Sequence, residues 1–238
     1  EDAGGIWAMA IHPKHVESSV ASFLFDEVHA RMREAGMRFS MLIANRSHIA
    51  YRLCHQQGYS DMRVWATALA RWETAYQPTR LSAQPAIQAG DELIEGLFAK
   101  ITPEYLGFVQ RRIPFRSLRN KVLLENIWIV SENEEPVGYV VANKNNAITQ
   151  ISIQLMRSGI DASEAVSAVV SEARTPYVQV STSRPSDVDR LKRAGYWIIH
   201  PNWISFMMKP LTPEATLEEA RRIFGIGSDR FLISELDI

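Results

Sequence analysis

The sequence predicts an α/β (α+β) protein in two related units, on three observations. Apolar and β-branched runs alternate with segments whose apolar residues recur at helical spacing. One order of elements (strand, helix, strand, shorter helix) occurs twice. Each copy closes on Gly-Tyr (Gly58-Tyr59 and Gly195-Tyr196) and is followed by a Trp-containing strand, with Trp65 and Trp203. Between the copies, residues 77–90 hold Pro78, Pro85 and several small residues without periodicity, the pattern of a linker.

Each element follows from local chemistry. Residues 5–13 (GIWAMAIHP) form an apolar strand stopped by Pro13. Residues 17–35 place Val20, Phe23, Leu24, Val28 and Met32 on one helix face, and Gly36 stops the helix. Residues 38–44 read as a buried strand. Ser47 then suits the N-cap of a helix that Gly58 ends. Residues 62–72 are β-like, and this first unit spans 1–76.

The second unit spans 91–211. Residues 91–112 set Leu93, Ile94, Leu97, Phe98 and Ile101 on one side, and Pro103 begins a separate helical turn. Strands at 127–130 and 137–142 flank a turn, and 148–155 alternates apolar with polar residues. A helix over 162–173 has Asp161 or Ser163 as its cap. A strand at 177–182, a helix at 185–194 and a strand at 203–208 follow. Residues 212–238 supply a C-terminal helix and tail, with Pro213 in the first turn.

Composition excludes several classes. Hydrophobic content is 46% and charged content 22%, ordinary for a globular chain. A net charge of −1 gives no global attraction to nucleic acid or an anionic membrane, so neither is an expected partner. The cluster Arg111, Arg112, Arg116, Arg119 and Lys121 reads as a solvated helix face. Cys54 is the sole cysteine, so no internal disulfide or cysteine metal cluster can form. That usage fits a reducing, cytoplasmic setting. No apolar run reaches the ~18 residues of a membrane span, and with no charged-then-apolar leader pattern among these residues, secretion is not the expectation. Phosphate-loop, dinucleotide, zinc-protease, EF-hand and serine-elbow motifs are missing. The six histidines show no metal-ligand spacing.

A strand ending Ile11-His12-Pro13, a loop, a long helix, a second strand and a helix ending in Gly58-Tyr59 together resemble the cofactor-binding half of the GNAT acyl-CoA N-acetyltransferases. The resemblance implies mixed, mostly antiparallel, bent sheets flanked by helices. It implies pantetheine of acetyl-CoA lying between splayed fourth and fifth strands. A Q/R-x-x-G-x-G/A loop then wraps the pyrophosphate at a helix N-terminus, where free amides and the helix dipole favour an anion. On that resemblance Met9, Ala10 and Ile11 supply backbone partners, and Val16, Glu17, Ser18, Ser19, Val20 and Ala21 form the loop, with Ser22 as a further hydroxyl. Val16 stands where Gln or Arg is usual, Ser19 replaces the first Gly, and the Glu17 carboxylate would oppose a pyrophosphate. Asn45 lies near the position of a family Asn, which Ser47 holds by strict count.

Cys54 occupies the place of a Tyr that commonly protonates the leaving thiolate. It is either a thiol donor or a small buried side chain. Tyr51 and Tyr59 are out of position, and His12, His15, Glu1 and Asp2 are the nearby candidates for a base that the sequence does not single out. In the second unit Asp161 stands where Gly or Ala is expected and Leu191 takes the acid position, so the resemblance implies a degenerate copy without cofactor. The whole implies an acetyl-CoA-dependent N-acetyltransferase acting on a primary amine of a small molecule or peptide. The alternatives are a non-catalytic module that binds acyl-CoA or a partner protein, and an unrelated α/β protein. The family's first three strands and two helices precede the matched strand. The resemblance therefore implies that a further N-terminal segment, or a second copy in a homodimer, completes the first sheet.

Overall fold

Trp65 stands between two sheets: Val64 ends a strand of one and Ala66 begins a strand of the other. The computed structural model describes residues 2–6, 19–106, 125–199 and 203–231. In chain order the first elements are β1 (Ala3–Gly5), α1 (Val20–Glu34), β2 (Phe39–Asn45), α2 (Ile49–Gln56), β3 (Ser60–Val64) and β4 (Ala66–Arg71). Next come α3 (Trp72–Ala75), β5 (Leu81–Pro85), α4 (Ala86–Ala89), α5 (Asp91–Ile101), β6 (Ile127–Glu132), β7 (Glu135–Lys144) and β8 (Ile148–Met156). The last are α6 (Ala162–Glu172), β9 (Tyr177–Thr182), α7 (Pro185–Arg193), β10 (Trp197–Ile199), β11 (Ile204–Pro210) and α8 (Leu217–Phe224). The fold is mixed α/β with mostly antiparallel sheets. Only β1 with β2 and β8 with β9 pair in parallel among the described strands.

The described residues divide into two compact units, one of residues up to 64 with 203–227, the other of 65–199 with 228–231. The first holds the four-stranded sheet β1-β2-β11-β3. Its third strand is contributed by Ile204–Pro210, almost 140 residues beyond β3 in the chain. β11 is antiparallel to both neighbours, from Ile204↔Asn45 to Pro210↔Phe39 on one side and from Ser205↔Val64 to Met208↔Ser60 on the other. Ser205, Phe206, Met207 and Met208 are all buried, as a strand covered on both faces requires. α1 and α2 cover one face through Phe25, Cys54 and Tyr59 against Leu42, Ala44 and Met207. α8 meets the opposite face, with Phe224 edge-on to Phe39 and Arg38 paired to Glu219 at 2.6 Å.

The second unit holds the seven-stranded sheet β10-β4-β9-β8-β7-β6-β5. α6 is buried on nearly every side by its Ala and Val residues, against Val130, Val137, Val140, Ile151, Val178 and Val180. α5 covers the other face through Ile94, Leu97 and Ile101 on Ile127, Ile129, Tyr139 and Leu155. Two register shifts re-aim β7, between Val130 and Ser131 and between Tyr139 and Val140. The second is a bulge in β8, where Ile153 and Leu155 face adjacent residues of β7. Gly138 sits against that bulge, and a Cβ there would strike the Leu155 carbonyl.

These strands redraw the expected boundaries. β4 leaves the first unit for the second and β11 returns to the first, so the units do not follow the 1–76 and 91–211 divisions. The expected linker contains β5 and α4. β5 is an edge strand, where Pro85 removes no needed ladder bond. Both Gly-Tyr stops are present as read: Gly58 and Gly195 have φ of +85° and +92°, and Tyr59 and Tyr196 are buried. Ser47 is not the α2 cap, since His48 holds that place. Among the described residues no helix is long and apolar enough to cross a membrane.

Candidate functional site

Each unit carries one strand–helix–parallel strand module: β1–α1–β2 and β8–α6–β9. In the first, α1 ends four residues before β2 begins. At 1.5 Å per residue its N-terminus lies about 22 Å away, toward the end of the sheet where β2 finishes at Asn45. Of the expected site residues, Ser19 to Ser22 at the start of α1 and Asn45 and Ser47 at the close of β2 lie toward this end. Met9, Ala10, Ile11, Val16, Glu17 and Ser18 lie outside the described residues, as do Glu1, His12 and His15.

The described part of this end has a defined chemistry. Ser19 is the α1 N-cap and makes no side-chain cap bond, and the first turn holds no acidic residue. Val20 is 38% exposed, Ala21 is buried, and Ser22 Oγ accepts a 3.0 Å hydrogen bond from Gln57 Nε2. The first-turn amides thus lack a carboxylate partner among the described residues. Asn45 and Ser47 satisfy each other: Asn45 Oδ1 accepts from the Ser47 amide at 3.0 Å and from its hydroxyl at 2.7 Å. That is a turn closing β2.

The expected donor Cys54 is packed in the core beside Phe25, Leu42, Ala44 and Met207. It is 5% exposed, and burial pushes its thiol up to about 11. These are the surroundings of an apolar core residue rather than of a proton donor. Tyr51 is no substitute. Its hydroxyl donates to Asp61 Oδ2 at 2.5 Å, and Asp61 also accepts from Ser205 Oγ at 2.5 Å. Burial, then the Asp61 hydrogen bond, raise the Tyr51 pKa. Asp61 is on β3, two strand spacings or about 10 Å from β2, so this hydroxyl is aimed away from the β1–β2 pair. Tyr59 is taken up by a buried chain of hydrogen bonds to His29 and Ser40.

The corresponding places in the second unit are filled from within. The α6 N-cap is Asp161, whose Oδ1 accepts from the Ser163 amide at 2.8 Å and from the Ser163 hydroxyl at 2.6 Å. Arg190 steadies the same turn, donating to the Ile160 carbonyl at 2.7 Å with Nε 3.8 Å from Asp161. β8 and β9 pair only from Ile148↔Tyr177 to Ser152↔Ser181, while β8 runs on to Met156. Side chains join the parted ends. The Tyr105 hydroxyl donates to the Met156 carbonyl and accepts from Arg184 at 2.8 Å. Arg184 is held by Asp187 at 2.7 and 2.9 Å, and Asp187 accepts from Thr182 at 2.9 Å. Arg184 and Asp187 are 4% and 0% exposed, so this is a buried, paired charge. Burial opposes the guanidinium charge, yet Asp187 outweighs it and the Arg184 pKa is raised.

Sequence reasoning missed Tyr105, Arg184 and Asp187. A signal existed in the Arg-Pro-Ser-Asp run, where Pro185 opens a helix and places Arg184 and Asp187 one turn apart. Tyr105 gave none, being 79 residues from Arg184. No group of three metal-ligating side chains occurs among the described residues.

No family model matches the chain, and no curated protein matches it by sequence. Solved structures do match. A conserved protein of unknown function from Enterococcus faecalis V583, described as a probable N-acyltransferase, superposes with a TM-score of 0.64 at 16% identity, covering 88% of this chain and 54% of its own. A GCN5-related N-acetyltransferase from Anabaena variabilis gives 0.63 at 14% identity, covering 88% and 55%. Another from Kribbella flavida gives 0.57 at 16% identity, covering 88% and 53%. The chain thus spans about half the length of these proteins. It has the fold of the GCN5-related N-acetyltransferases.

Proposed function

We propose that this chain is an acetyl-CoA-dependent N-acetyltransferase whose first unit holds the nucleotide and whose second unit is a scaffold that no longer binds it. One observation supports the reading: of two like modules, one helix N-terminus is capped by its own carboxylate and the other meets no carboxylate among the described residues. At α1 the first-turn amides, with Ser19 and Ser22, suit a diphosphate. At α6, Asp161 already provides the anion, and Tyr105 with Arg184 fills the parted strand ends. The described residues at the start of α1 are compatible with the acetyl-CoA that the sequence resemblance implies.

Acetyl-CoA supplies an activated thioester. The neutral amine of the acceptor attacks its carbonyl carbon, the C–S bond breaks, and the electron pair leaves on sulfur. The amine's proton passes to solvent or to a base outside the described residues. A thiol with an ordinary pKa near ~8.5 leaves without an obligatory proton donor, so a buried Cys54 does not bar the reaction. The acceptor is a primary amine of a small molecule or peptide.

A second reading has an observation of its own. Cys54 is in the core and Tyr51 is committed to Asp61, so α2 presents no proton donor to the strand pair. A module that binds acyl-CoA without chemistry needs none. Thermal melting with millimolar acetyl-CoA, followed by acetylation assays on polyamines, amino acids and peptides, separates the readings. A raised melting temperature with turnover supports the enzyme. Binding without turnover supports the sensing module, and neither binding nor turnover rejects both.

A further inference from the structure

A buried line of hydrogen bonds crosses the first unit away from the end where β2 finishes. Lys209 on β11 lies with Nζ 3.3 Å from His29 Nδ1 on α1. His29 Nε2 lies 2.8 Å from the Tyr59 hydroxyl, and that hydroxyl lies 2.5 Å from Ser40 Oγ on β2. The direction of the chain follows from its first member. An ammonium can only donate, so His29 Nδ1 must accept. The imidazole hydrogen is then on Nε2 and points at Tyr59, which donates to Ser40. The Lys209 stem also packs on Gly58, since a Cβ there would sit 3.6 Å from Lys209 Cε.

We propose that this line is a proton-sensitive latch, which ties the Lys209 side chain of β11 to α1 and the Gly58-Tyr59 turn only while His29 is neutral. A second proton on the ring would remove the acceptor for Lys209 and set an imidazolium against an ammonium with His29 only 1% exposed. The Lys209 side chain would have to leave, and β11 would keep its ladders to β2 and β3 but lose its side-chain tie to α1. The groups facing His29 give little relief. Lys209 from β11 and Arg33 from α1 oppose its charge, and Asp26 alone favours it. Phe25 and Tyr59 contribute rings at 5.7 Å, not charge. Burial first, then Lys209, then Arg33, lower the His29 pKa from 6.5 to about 4.

The sign is that of a base whose proton is resisted by the fold. The unfolded chain takes it up near pH 6.5, so stability is full above that pH and is lost as pH falls toward 4. Nitrogen-15 NMR of the histidine side chains in the intact chain tests the latch. It should show the Nε2–H tautomer at His29 and no protonation above pH 5. Thermal melting from pH 7.5 to 4.5 should fall by about 5–10 °C more than in His29→Gln. Lys209→Met should raise the pH at which His29 takes its proton. A ring titrating near pH 6.5, an Nδ1–H tautomer, or an acid step undiminished in His29→Gln would overturn the proposal. Should His29→Gln fail to fold, the wild-type titration and Lys209→Met still decide it.

Discussion

The two modules β1–α1–β2 and β8–α6–β9 share a topology and differ in what stands at the helix entrance. At α6 a carboxylate accepts from the Ser163 amide and hydroxyl, and a buried Tyr–Arg–Asp set spans the parted strands. At α1 the cap serine makes no such bond and no acid lies in the first turn. The physics is the same in both. Unpaired amides at a helix start need an anion or a cap, and a side-chain anion excludes a bound one. On the proposed reading, a carboxylate at the helix start supplies from within the chain the negative charge that a bound diphosphate would otherwise bring.

The comparison breaks most sharply at the buried ion pair. Arg184→Leu leaves Asp187 unpaired in the core and should cost about 3–5 kcal/mol in urea unfolding. Arg184→Leu with Asp187→Leu should recover much of that. Neither should alter acetyl-CoA affinity if, as proposed, the second unit holds no nucleotide. A loss of affinity beyond the loss of folded protein would place the ligand there instead.

A smaller effect sharpens the contrast. Asp161→Ala removes a cap and should cost about 1 kcal/mol, without adding a second nucleotide site, since Tyr105 and Arg184 still fill the gap. Two equivalents bound by calorimetry would contradict this. The smallest effect belongs to Cys54. Cys54→Ala removes one buried sulfur, so a stability loss of about 1 kcal/mol or less is expected, with turnover unchanged on any amine the wild type acetylates. A drop of a hundredfold or more in kcat would restore the thiol to the chemistry.

What could be read in advance was local. The Gly58-Tyr59 and Gly195-Tyr196 stops and the Asp161 cap depend on residues a few positions apart. Of the α1 stripe read as Val20, Phe23, Leu24, Val28 and Met32, however, only Met32 is buried: Ala21, Phe25 and His29 take the rest of the buried face, and Phe23 is 66% exposed. The exchange of β4 and β11 could not be read, because pairing Ile204–Pro210 with Phe39–Asn45 is a choice across the whole chain. Trp65 and Trp203 were read as marks of the final strand in each repeat. They instead flank the points where the chain changes sheet. β5 was hidden because its Pro85 argues against a central strand and is harmless at an edge. At the site, a helix beginning near Ser19 was legible, whereas Asn45 and Ser47, read as cofactor-binding positions with Ser47 as a helix cap, close a turn on each other that was not foreseen. The buried partners His29, Tyr105 and Arg184 were not, since burial of a polar group is decided by distant contacts.

One measurement bears on the central claim most directly: calorimetric titration of acetyl-CoA into the wild type and into Ser19→Asp. The substitution copies the α6 arrangement at α1. It should leave the fold intact or add about 0.3–1 kcal/mol to its stability, while weakening acetyl-CoA at least tenfold from a stoichiometry of one. Unchanged affinity in a folded Ser19→Asp protein would contradict the account.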